Sequence, residues 1–333
     1  MLEKMKAVML GHAVGDALGV PVEFSSREEL ETDPVTDMRG YGTYPVPPGA
    51  WSDDTALSLA ALDTLGKKEW SFFEVMVNFA AWFEKGKYTS TGRVFDVGRT
   101  CSAAILDFIW DTYIVELGQF VRPNEAYRAG HCGRKDERSN GNGSLMRIHP
   151  FVLYAKAKQL PFDSWRKLIE TASALTHAHE RSRVGCLIYA FVLMQLLEKP
   201  SKAAIERGLR QAERLLCDNK EIAHYQRLLD PDFAKIPRNG IRSSGYVVDT
   251  LEAALWCLLT TDNYRECVLK AVNLGEDTDT VAAVAGGLAA ALYGYDAIPK
   301  EWLGTLLRCA YIERLCKRAV VAEGRMIAEE LFE

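Results

Sequence analysis

The chain has 333 residues, of which 48% are hydrophobic and 26% are charged, and its formal net charge is -5 at pH 7. These values are typical of a globular protein with a large core, and they exclude an intrinsically disordered chain. Because no basic stripe runs along the sequence, we expect no DNA- or RNA-binding face.

Helical periodicity runs through nearly the whole chain, whereas convincing strand-like alternation is missing. Ser52, Ser71 and Ser201 stand where the N-caps of three helices are expected. The expected fold class is therefore all-α, a single compact multi-helix domain. Apolar residues at three- and four-residue spacing predict helices at 3–19, 53–66, 71–85, 98–110, 164–176, 181–198, 201–217, 246–260, 263–273, 278–293 and 312–332.

Three proline- and glycine-rich segments lie between these helices, at residues 25–51, 121–144 and 230–245. Long segments without secondary structure are usually functional in a compact protein. None of the three has the low-complexity composition of an interdomain linker. We therefore expect these segments to be functional loops within one domain.

The cysteines and the apolar runs indicate a protein of the cytoplasm. The eight cysteines are scattered without a C-x-x-C pair, which predicts reduced thiols rather than a disulfide framework. His12 and Asp16 interrupt the apolar start of the chain, so we predict no signal peptide. The apolar run at 281–294 is shorter than the roughly 20 residues that a membrane span needs.

Two acidic clusters open predicted helices near opposite ends of the chain. Residues 51–55 read Trp-Ser-Asp-Asp-Thr, and residues 276–280 read Glu-Asp-Thr-Asp-Thr. A helix N-terminus favours negative charge by about 0.3–1 kcal/mol per residue, which accounts for one or two carboxylates. The repeated pattern, each time followed by apolar sequence, instead suits a divalent cation that needs several oxygen ligands. Two solvated N-caps are the alternative.

The side chains of each cluster can converge only around a helix end, because neighbouring residues on a helix point about 100° apart. A shared metal site would require the first and last thirds of the chain to touch, so no cut could separate them. We therefore expect one domain over residues 1–333. The metal ligands expected are Ser52, Asp53, Asp54, Asp277, Asp279 and Thr280.

Five motifs follow one another along the chain and together cover nearly all of it. They are Gly15-Asp16-Ala17-Leu18-Gly19 with Glu23, Ser52-Asp53-Asp54-Thr55, Gly141-Asn142-Gly143-Ser144-Leu145-Met146-Arg147, Thr176-His177-Ala178-His179 and Asp277-Thr278-Asp279-Thr280. In this order the motifs resemble those of the ADP-ribosylglycohydrolase family. The resemblance is closest to the bacterial dinitrogenase reductase-activating glycohydrolase branch, because residues 95–98 and 243–250 also match.

The resemblance implies an all-α fold with two divalent cations, Mg²⁺ or Mn²⁺, in a cleft where the bond between ADP-ribose and a side chain is hydrolysed. It assigns Asp53, Asp54, Asp277, Asp279 and Thr280 as ligands of these ions. Ser52 replaces a threonine that is common in the family and keeps an oxygen ligand. Glu276 replaces a residue that is often glycine, which adds a negative charge beside the ions.

The resemblance also implies which residues act on the substrate. Asp96 is the first candidate for the carboxylate that activates water and Glu23 is the second, with a structural role as the alternative for either. His177 and Tyr246 are expected to contact ADP-ribose, with core packing as the alternative for Tyr246. The glycine-rich turn would offer backbone N–H groups to the pyrophosphate. Its residues are Gly141, Asn142, Gly143 and Ser144.

Several charged residues near these motifs have more than one interpretation. Arg147, in the helix-like segment 145–147, is expected to reach phosphate or to pair with a structural acid. His177 and His179 have a spacing that could serve zinc, but no nearby cysteine or acid completes the ligand set, and we expect His179 to be structural. The basic residues of 134–138 are expected to be solvated, with attraction of an anionic substrate at the cleft rim as a weaker hypothesis.

The leading hypothesis is a metal-dependent hydrolase that releases ADP-ribose from an N-ribosylated arginine of a protein. One alternative is hydrolysis of another conjugate, such as serine-linked or O-acetyl-ADP-ribose. A non-catalytic ADP-ribose binder, similar to the crystallin-like members of the family, is the alternative from a different class. The expected partner is an ADP-ribosylated protein or a small ADP-ribosyl conjugate.

Overall fold

The computed structural model describes residues 1–114, 118–121, 130–322 and 325–326. Helices dominate these residues, which confirms the predicted all-α class. The α-helices are α1 Leu2–Gly19, α2 Arg27–Thr32, α3 Asp53–Leu65, α4 Phe72–Lys85, α5 Arg99–Thr112, α6 His149–Ala157, α7 Phe162–Ala174, α8 Glu180–Glu198, α9 Lys202–Leu216, α10 Gln226–Leu229, α11 Val247–Leu259, α12 Tyr264–Val272, α13 Thr278–Tyr293, α14 Lys300–Thr305 and α15 Cys309–Val321.

Strand pairing is limited to two-residue segments in the described part of the chain. β1 Glu69–Trp70 pairs in parallel with β4 Arg325–Met326. β2 Tyr113–Ile114 pairs antiparallel with β3 Gln119–Phe120. No described helix is both long enough and apolar enough to cross a membrane. All eight cysteines are free thiols.

The three serines predicted as N-caps are the N-cap residues of α3, α4 and α9. Ser52 Oγ accepts a hydrogen bond from the Asp54 N–H at the start of α3. Ser71 and Ser201 accept in the same way from the third residues of α4 and α9. These helices start within one residue of their predicted positions because the capping geometry is encoded locally.

Three predictions about secondary structure were wrong. The segment 25–51 contains α2, whose capping box joins Ser26 and Glu29. The predicted helix at 312–332 ends at Val321, and residues 325–326 form β4 instead; residues 323–324 and 327–332 lie outside the described residues. The segment 145–147 is a turn, and the unpredicted helix α6 begins after it at His149. Residues 122–129 of the predicted loop 121–144 also lie outside the described residues.

Helices α1 and α13 form the centre of the fold and pack with their backbones close together. A Cβ atom on Gly15 would lie 2.1 Å from the Ala282 carbonyl oxygen, and one on Gly19 would lie 2.3 Å from the Asp279 Cα. Only glycine permits this approach, because real Cβ atoms do not come so near to another backbone. The C-terminal end of α1 therefore lies directly beside the N-terminal end of α13.

The same end of α1 also holds the N-terminus of α3. Asp16 accepts hydrogen bonds from the Ser52 N–H at 2.9 Å and from the Thr55 N–H at 3.0 Å. The Thr55 hydroxyl donates to the same carboxylate at 2.6 Å. Helix α1 thus brings the N-termini of α3 and α13 together, although about 220 residues separate these helices in the chain. The two acidic clusters meet at this point.

Candidate active site

A cavity of about 750 Å³ opens where the N-termini of α3 and α13 meet. Its walls come from segments that are far apart in the sequence, including the residues around Glu23, the loop that precedes α5 and the glycine-rich turn at 140–143. Asp53, Asp96 and Asp277 line it, together with Thr280. A volume of this size is typical of a small-molecule site.

Carboxylates converge beside this cavity in two groups that share one residue, and Glu23 and Asp96 of the second group line the cavity itself. Asp16, Asp54 and Asp279 form the first group, and Glu23, Asp96 and Asp279 form the second. Within each group, one oxygen atom from every carboxylate lies within 4.8 Å of the others. Oxygen atoms from three residues in such a small space form a suitable site for a hard divalent cation.

Several of the buried carboxylate oxygens lack a hydrogen-bond partner among the described residues. They are Glu23 Oε2, Asp54 Oδ2 and Asp277 Oδ1. A buried polar atom without a partner is unfavourable by about 1–3 kcal/mol, and more when it is charged. A divalent cation would satisfy such atoms, so the residues present fit a metal ion.

The remaining predicted ligands surround these two groups. Thr280 donates a hydrogen bond from Oγ1 to Asp54 Oδ1 at 3.3 Å, and Ser52 caps α3. Asp53 Oδ2 accepts from the Gly98 N–H at 3.4 Å. Asp277 Oδ2 accepts from the Asn142 amide at 2.9 Å. Asp53 and Asp277 therefore lie at the cavity wall, outside the two groups that contain Asp279.

Burial and mutual repulsion raise the pKa values of these carboxyl groups. Burial, followed by the nearby charge of Asp96, raises the pKa of Glu23 to about 8. Burial raises the pKa of Asp16 to about 6, although hydrogen bonds from Thr55 and Ser52 oppose the rise. Burial also raises the pKa values of Asp54 and Asp279 well above their usual range, and the charges of neighbouring carboxylates add to this rise. Clustered carboxylates with raised pKa values are typical of a functional site.

Asp16 was missed as a site residue, although it belongs to one of the two groups. Its role depends on Ser52 and Thr55, which follow it by 36 and 39 residues. The available signal was an acidic residue within an apolar helix that lacks a charged partner nearby in the sequence. Such a residue is buried only when other groups satisfy it.

The glycine-rich turn is fixed to the segment that precedes α11. The Asn142 N–H donates to the Gly245 carbonyl at 3.0 Å, so this N–H is already used within the protein. The Asn142 amide also donates to Thr250 at 2.9 Å, in addition to Asp277. Ser144 points into the core, where Ser173 donates to its hydroxyl at 2.9 Å. Gly141 and Gly143 line the cavity with Asn142.

His177 and Tyr246 both lie at the cavity wall. His177 is 2% exposed, its Nδ1 lies 2.8 Å from the Thr176 hydroxyl, and burial lowers its pKa to about 3. The imidazole is therefore neutral near pH 7. Tyr246 is half-buried, and the Arg181 guanidinium lies 6.0 Å from the centre of its ring.

His179 and Arg147, which stand beside the family motifs in the sequence, do not line the cavity. His179 accepts a hydrogen bond from the Arg181 N–H as the N-cap of α8, and no described metal-ligand group contains a histidine. Arg147 was predicted to reach phosphate or an acid, and both predictions were wrong. Its buried guanidinium donates to the Ala172 carbonyl and the Thr176 hydroxyl and lies 4.8 Å from the centre of the Phe79 ring.

The basic residues of 134–138 divide between two roles. Arg134 forms an ion pair with Asp107 at 2.9 Å. Arg138 lines the cavity beside Glu137. One of these cations therefore lies at the cavity wall.

Comparison with known proteins gives the same family along the whole chain. A family model described as ADP-ribosylglycohydrolase matches residues 1–328. An "ADP-ribosylarginine hydrolase Tri1" from Serratia proteamaculans is 33% identical, over 95% of this chain and 79% of that protein. An "ADP-ribosyl-[dinitrogen reductase] glycohydrolase" from Rhodospirillum rubrum is 30% identical, over 96% of this chain and 95% of that protein. A solved "ADP-ribosylglycohydrolase-related protein complex" superposes with a TM-score of 0.75 at 28% identity, covering 96% of this chain and 97% of its own.

Proposed function

The chain belongs to the ADP-ribosylglycohydrolase family, and from this we propose that it removes ADP-ribose from modified arginine side chains of proteins with the help of divalent cations. Hydrolysis of ADP-ribosyl linkages is the activity of its named relatives. The proposal adds the arginine linkage, the protein substrate and the metal requirement.

The observation that carries the proposal is the pair of carboxylate groups that share Asp279 beside the cavity. Divalent cations bound there would supply positive charge that orients ribose hydroxyls and water and stabilises the charge that develops during bond cleavage. We propose two such cations, Mg²⁺ or Mn²⁺. The proposed ligands are Ser52, Asp53, Asp54, Asp277, Asp279 and Thr280, with Asp16 added on the evidence of its position, whereas Glu23 and Asp96 of the second group are left free of the cations to act on water.

Asp96 is the proposed general base. It is half-buried at the cavity wall, where water has access, and its oxygen lies within 4.8 Å of Glu23 and Asp279 oxygens. As the bond from ribose C1″ to the guanidino nitrogen breaks, positive charge develops on the ribose. Asp96 takes a proton from the attacking water, and the bonding electron pair leaves with the guanidino nitrogen, which becomes protonated from solvent. Glu23 is the second candidate for this role.

The glycine-rich turn, His177 and Tyr246 are proposed to bind the rest of ADP-ribose. Gly141, Asn142, Gly143 and Ser144 form the turn proposed to contact the pyrophosphate, through the Gly143 backbone N–H, which donates no hydrogen bond within the described structure. The neutral His177 ring can accept or donate one hydrogen bond. Tyr246 offers a half-exposed ring face to a base or ribose.

One observation supports the arginine linkage over the other conjugates. The related protein from Serratia proteamaculans carries arginine in its name.

The test is release of ADP-ribose from arginine-, serine- and acetyl-linked substrates in the presence of Mg²⁺, Mn²⁺ or a chelator. We expect release from the arginine substrate only with metal. The Asp279→Asn variant should lower kcat by about 100-fold or more, because it removes the ligand common to both groups. Asp296→Asn, which changes an exposed carboxylate outside the cavity, is the matched control and should leave kcat unchanged.

Three results would count against the proposal. Equal release with chelator would eliminate the metal requirement. Faster release from the serine or acetyl conjugate would replace the arginine linkage. Binding of ADP-ribose without release from any substrate would identify a non-catalytic binder.

A further inference from the structure

Two apolar side chains line the cavity next to its candidate catalytic carboxylates. Phe24 follows Glu23 and Val97 follows Asp96 in the chain, and all four residues line the cavity. Neither apolar residue has a role in the metal site or in the proposed binding of ADP-ribose. Ribose hydroxyls and phosphates offer such side chains no apolar surface to cover, so the two residues suit another part of the substrate.

The two residues differ in how far they reach into solvent. Phe24 is 69% exposed although it lines the cavity, so it lies at the cavity mouth. Val97 is half-buried and packs partly against the main core. Their segments lie close together, because oxygen atoms of Glu23 and Asp96 come within 4.8 Å of each other. This side of the cavity therefore carries apolar surface from its wall to its mouth.

The backbone holds Phe24 firmly in this place. The residue has a left-handed conformation, which bulky side chains rarely adopt. The Ser25 N–H donates to the Val22 carbonyl at 3.0 Å, and the Thr43 hydroxyl donates to the Glu23 carbonyl at 2.7 Å, so hydrogen bonds fix the chain on both sides of Phe24. Unfavourable conformations of this kind cluster at functional sites. Because the backbone is already fixed, contact with the ring requires little further ordering.

The position of the cleaved bond defines what passes these residues. Asp96 or Glu23 can activate water only if the ribose C1″ atom lies near them, and the group bonded to C1″ departs from the same place. In a modified arginine this group is the guanidino nitrogen, followed by methylene groups and then the polypeptide. Arginine side chains bury their methylene groups along apolar surfaces.

We propose that Phe24 and Val97 bind the methylene groups of the modified arginine and the polypeptide around it, and thereby select protein-borne substrates. This inference rests on the proposed function, because it takes the cleaved bond to lie beside Asp96 and Glu23. Val97, at the wall, contacts the methylene groups, and Phe24, at the mouth, contacts the polypeptide. A conjugate without these parts gains nothing from the apolar surface.

The test compares two substrates that share the cleaved bond. One is a protein ADP-ribosylated on arginine, and the other is ADP-ribosylated methylguanidine, which lacks the methylene chain and the polypeptide. For Phe24→Ala we expect the ratio of kcat/KM for the protein to kcat/KM for the small conjugate to fall about tenfold, because the substrate no longer covers a phenyl ring. The fall should appear mainly in KM for the protein.

Three further variants separate the ring from other effects. Phe24→Trp restores an apolar ring and should keep the ratio within about twofold of the wild-type value. Val97→Thr keeps the shape of the side chain, adds a hydroxyl and should lower the ratio about threefold. Trp110→Ala is the matched control, because Trp110 is 83% exposed near the end of α5 that lies away from the cavity. This control should leave the ratio unchanged.

Displacement of Glu23 is the structural effect that the ratio excludes. A Phe24→Ala variant that merely displaced this carboxylate would lower kcat for both substrates equally and leave the ratio unchanged, which would overturn the inference. An equal fall in the ratio with Trp110→Ala would also overturn it. Either result would leave the proposed function intact, since the wild-type protein would still release ADP-ribose.

Binding gives a readout that does not depend on turnover. If the wild-type protein cleaves no arginine conjugate, the proposed function fails, and calorimetry in Mn²⁺ then compares the Kd of the modified protein with that of the methylguanidine conjugate. A Kd about tenfold weaker in Phe24→Ala for the modified protein alone would support the inference. Unchanged Kd values for both ligands would overturn it.

Discussion

Two residues beside the site hold a backbone conformation that side chains rarely adopt. Phe24 has φ of 67° and Glu276 has φ of 64°. The Phe24 N–H donates to the Glu276 carbonyl at 2.7 Å, and the Glu276 N–H donates to the Ser25 carbonyl at 2.8 Å. This pair of bonds places Glu23 beside Asp277. A left-handed residue other than glycine is unfavourable by about 1–2 kcal/mol, which the site accepts in return for this geometry.

Replacing Glu276 by glycine should therefore stabilise the protein. We expect Glu276→Gly to raise the free energy of unfolding by about 0.5–1 kcal/mol, because the relief of backbone strain exceeds the gain in unfolded-state entropy. Denaturant-induced unfolding in the presence of a chelator measures this change.

The neighbouring glycine provides the control. Gly275 has φ of 80°, and a Cβ atom there would lie 2.8 Å from the Arg27 nitrogen. Gly275→Ala should lower the free energy of unfolding by more than about 1 kcal/mol. Stabilisation by both variants, or by neither, would show that the left-handed conformation is not the cause.

The sequence revealed residues whose motif is local and missed residues whose partners are distant. Asp53 and Asp54 could be identified from the sequence because they stand beside a capping serine at a helix start. The glycine that the family resemblance implies at position 276 would suit the positive φ that Glu276 adopts there. Asp16 was not identified as a site residue because the groups that hold its carboxylate, at Ser52 and Thr55, follow it by 36 and 39 residues.

At the scale of elements, the contact between α1 and α13 sets the position of Asp279. We expect Gly19→Ala to lower the free energy of unfolding by about 1–3 kcal/mol, because the new methyl group overlaps the Asp279 backbone. The same shift should weaken Mn²⁺ binding, which titration of the folded protein measures.

Gly287→Ala, on α13 and away from the contact of Gly19 with Asp279, is the matched change. Its Cβ atom would meet no atom closer than 3.5 Å, which is an ordinary contact distance. We expect stability to rise by up to about 1 kcal/mol, because alanine favours a helix over glycine, and Mn²⁺ binding to stay unchanged. Equal effects of the two variants would argue against close backbone packing as the determinant of the metal site.

Helix prediction succeeded where the apolar periodicity was long and failed where a segment was very short, as in α2, or both short and largely buried, as in α6. Helix α13 has its predicted bounds, 278–293. Helix α6 was missed because it spans nine residues, most of them buried, so no polar face marks the helical period. At the other end of the chain, pairing of residues 325–326 with β1 replaced the predicted helix, an outcome that depends on a partner more than 250 residues away.

At the scale of the whole molecule, the clustered carboxylates link stability to pH and metal. The folded-state pKa of Glu23 is about 8, above its unfolded value of about 4.3. Its contribution to stability is therefore complete at low pH and is lost as the pH rises through 8. Burial lowers the pKa values of His12 and His177, so these residues make the free energy of unfolding rise with pH. This effect is confined to pH values below about 6.5, the unfolded-state pKa of histidine.

We therefore expect the free energy of unfolding of the chelated protein to fall between about pH 6.5 and pH 8, on the order of 2 kcal/mol. Saturating Mn²⁺ should reverse this dependence, because deprotonated carboxylates bind the cation and a ligand at 100 times its Kd adds about 2.7 kcal/mol. Denaturant-induced unfolding at both pH values measures the effect. Glu23→Gln should reduce the fall, and a chelated protein with pH-independent stability would contradict the prediction.

We also propose that residues 1–333 form one domain, since α1 near the start packs along α13 near the end. Thermal unfolding should then be a single cooperative transition, with the same midpoint by circular dichroism and by tryptophan fluorescence. Two separated transitions would instead indicate independent units.

The close packing of α1 on α13 also limits how this protein can change during evolution. In a core of large side chains, a residue that becomes smaller can be compensated by a neighbour that becomes larger. Gly11, Gly15 and Gly19 can only gain atoms, and at each of them a Cβ atom would lie within 2.4 Å of an atom of α13. No single compensating substitution restores the fit, because at Gly15 and Gly19 the obstructing atoms are backbone. Variation among descendants of this chain should therefore be lowest along its smallest side chains.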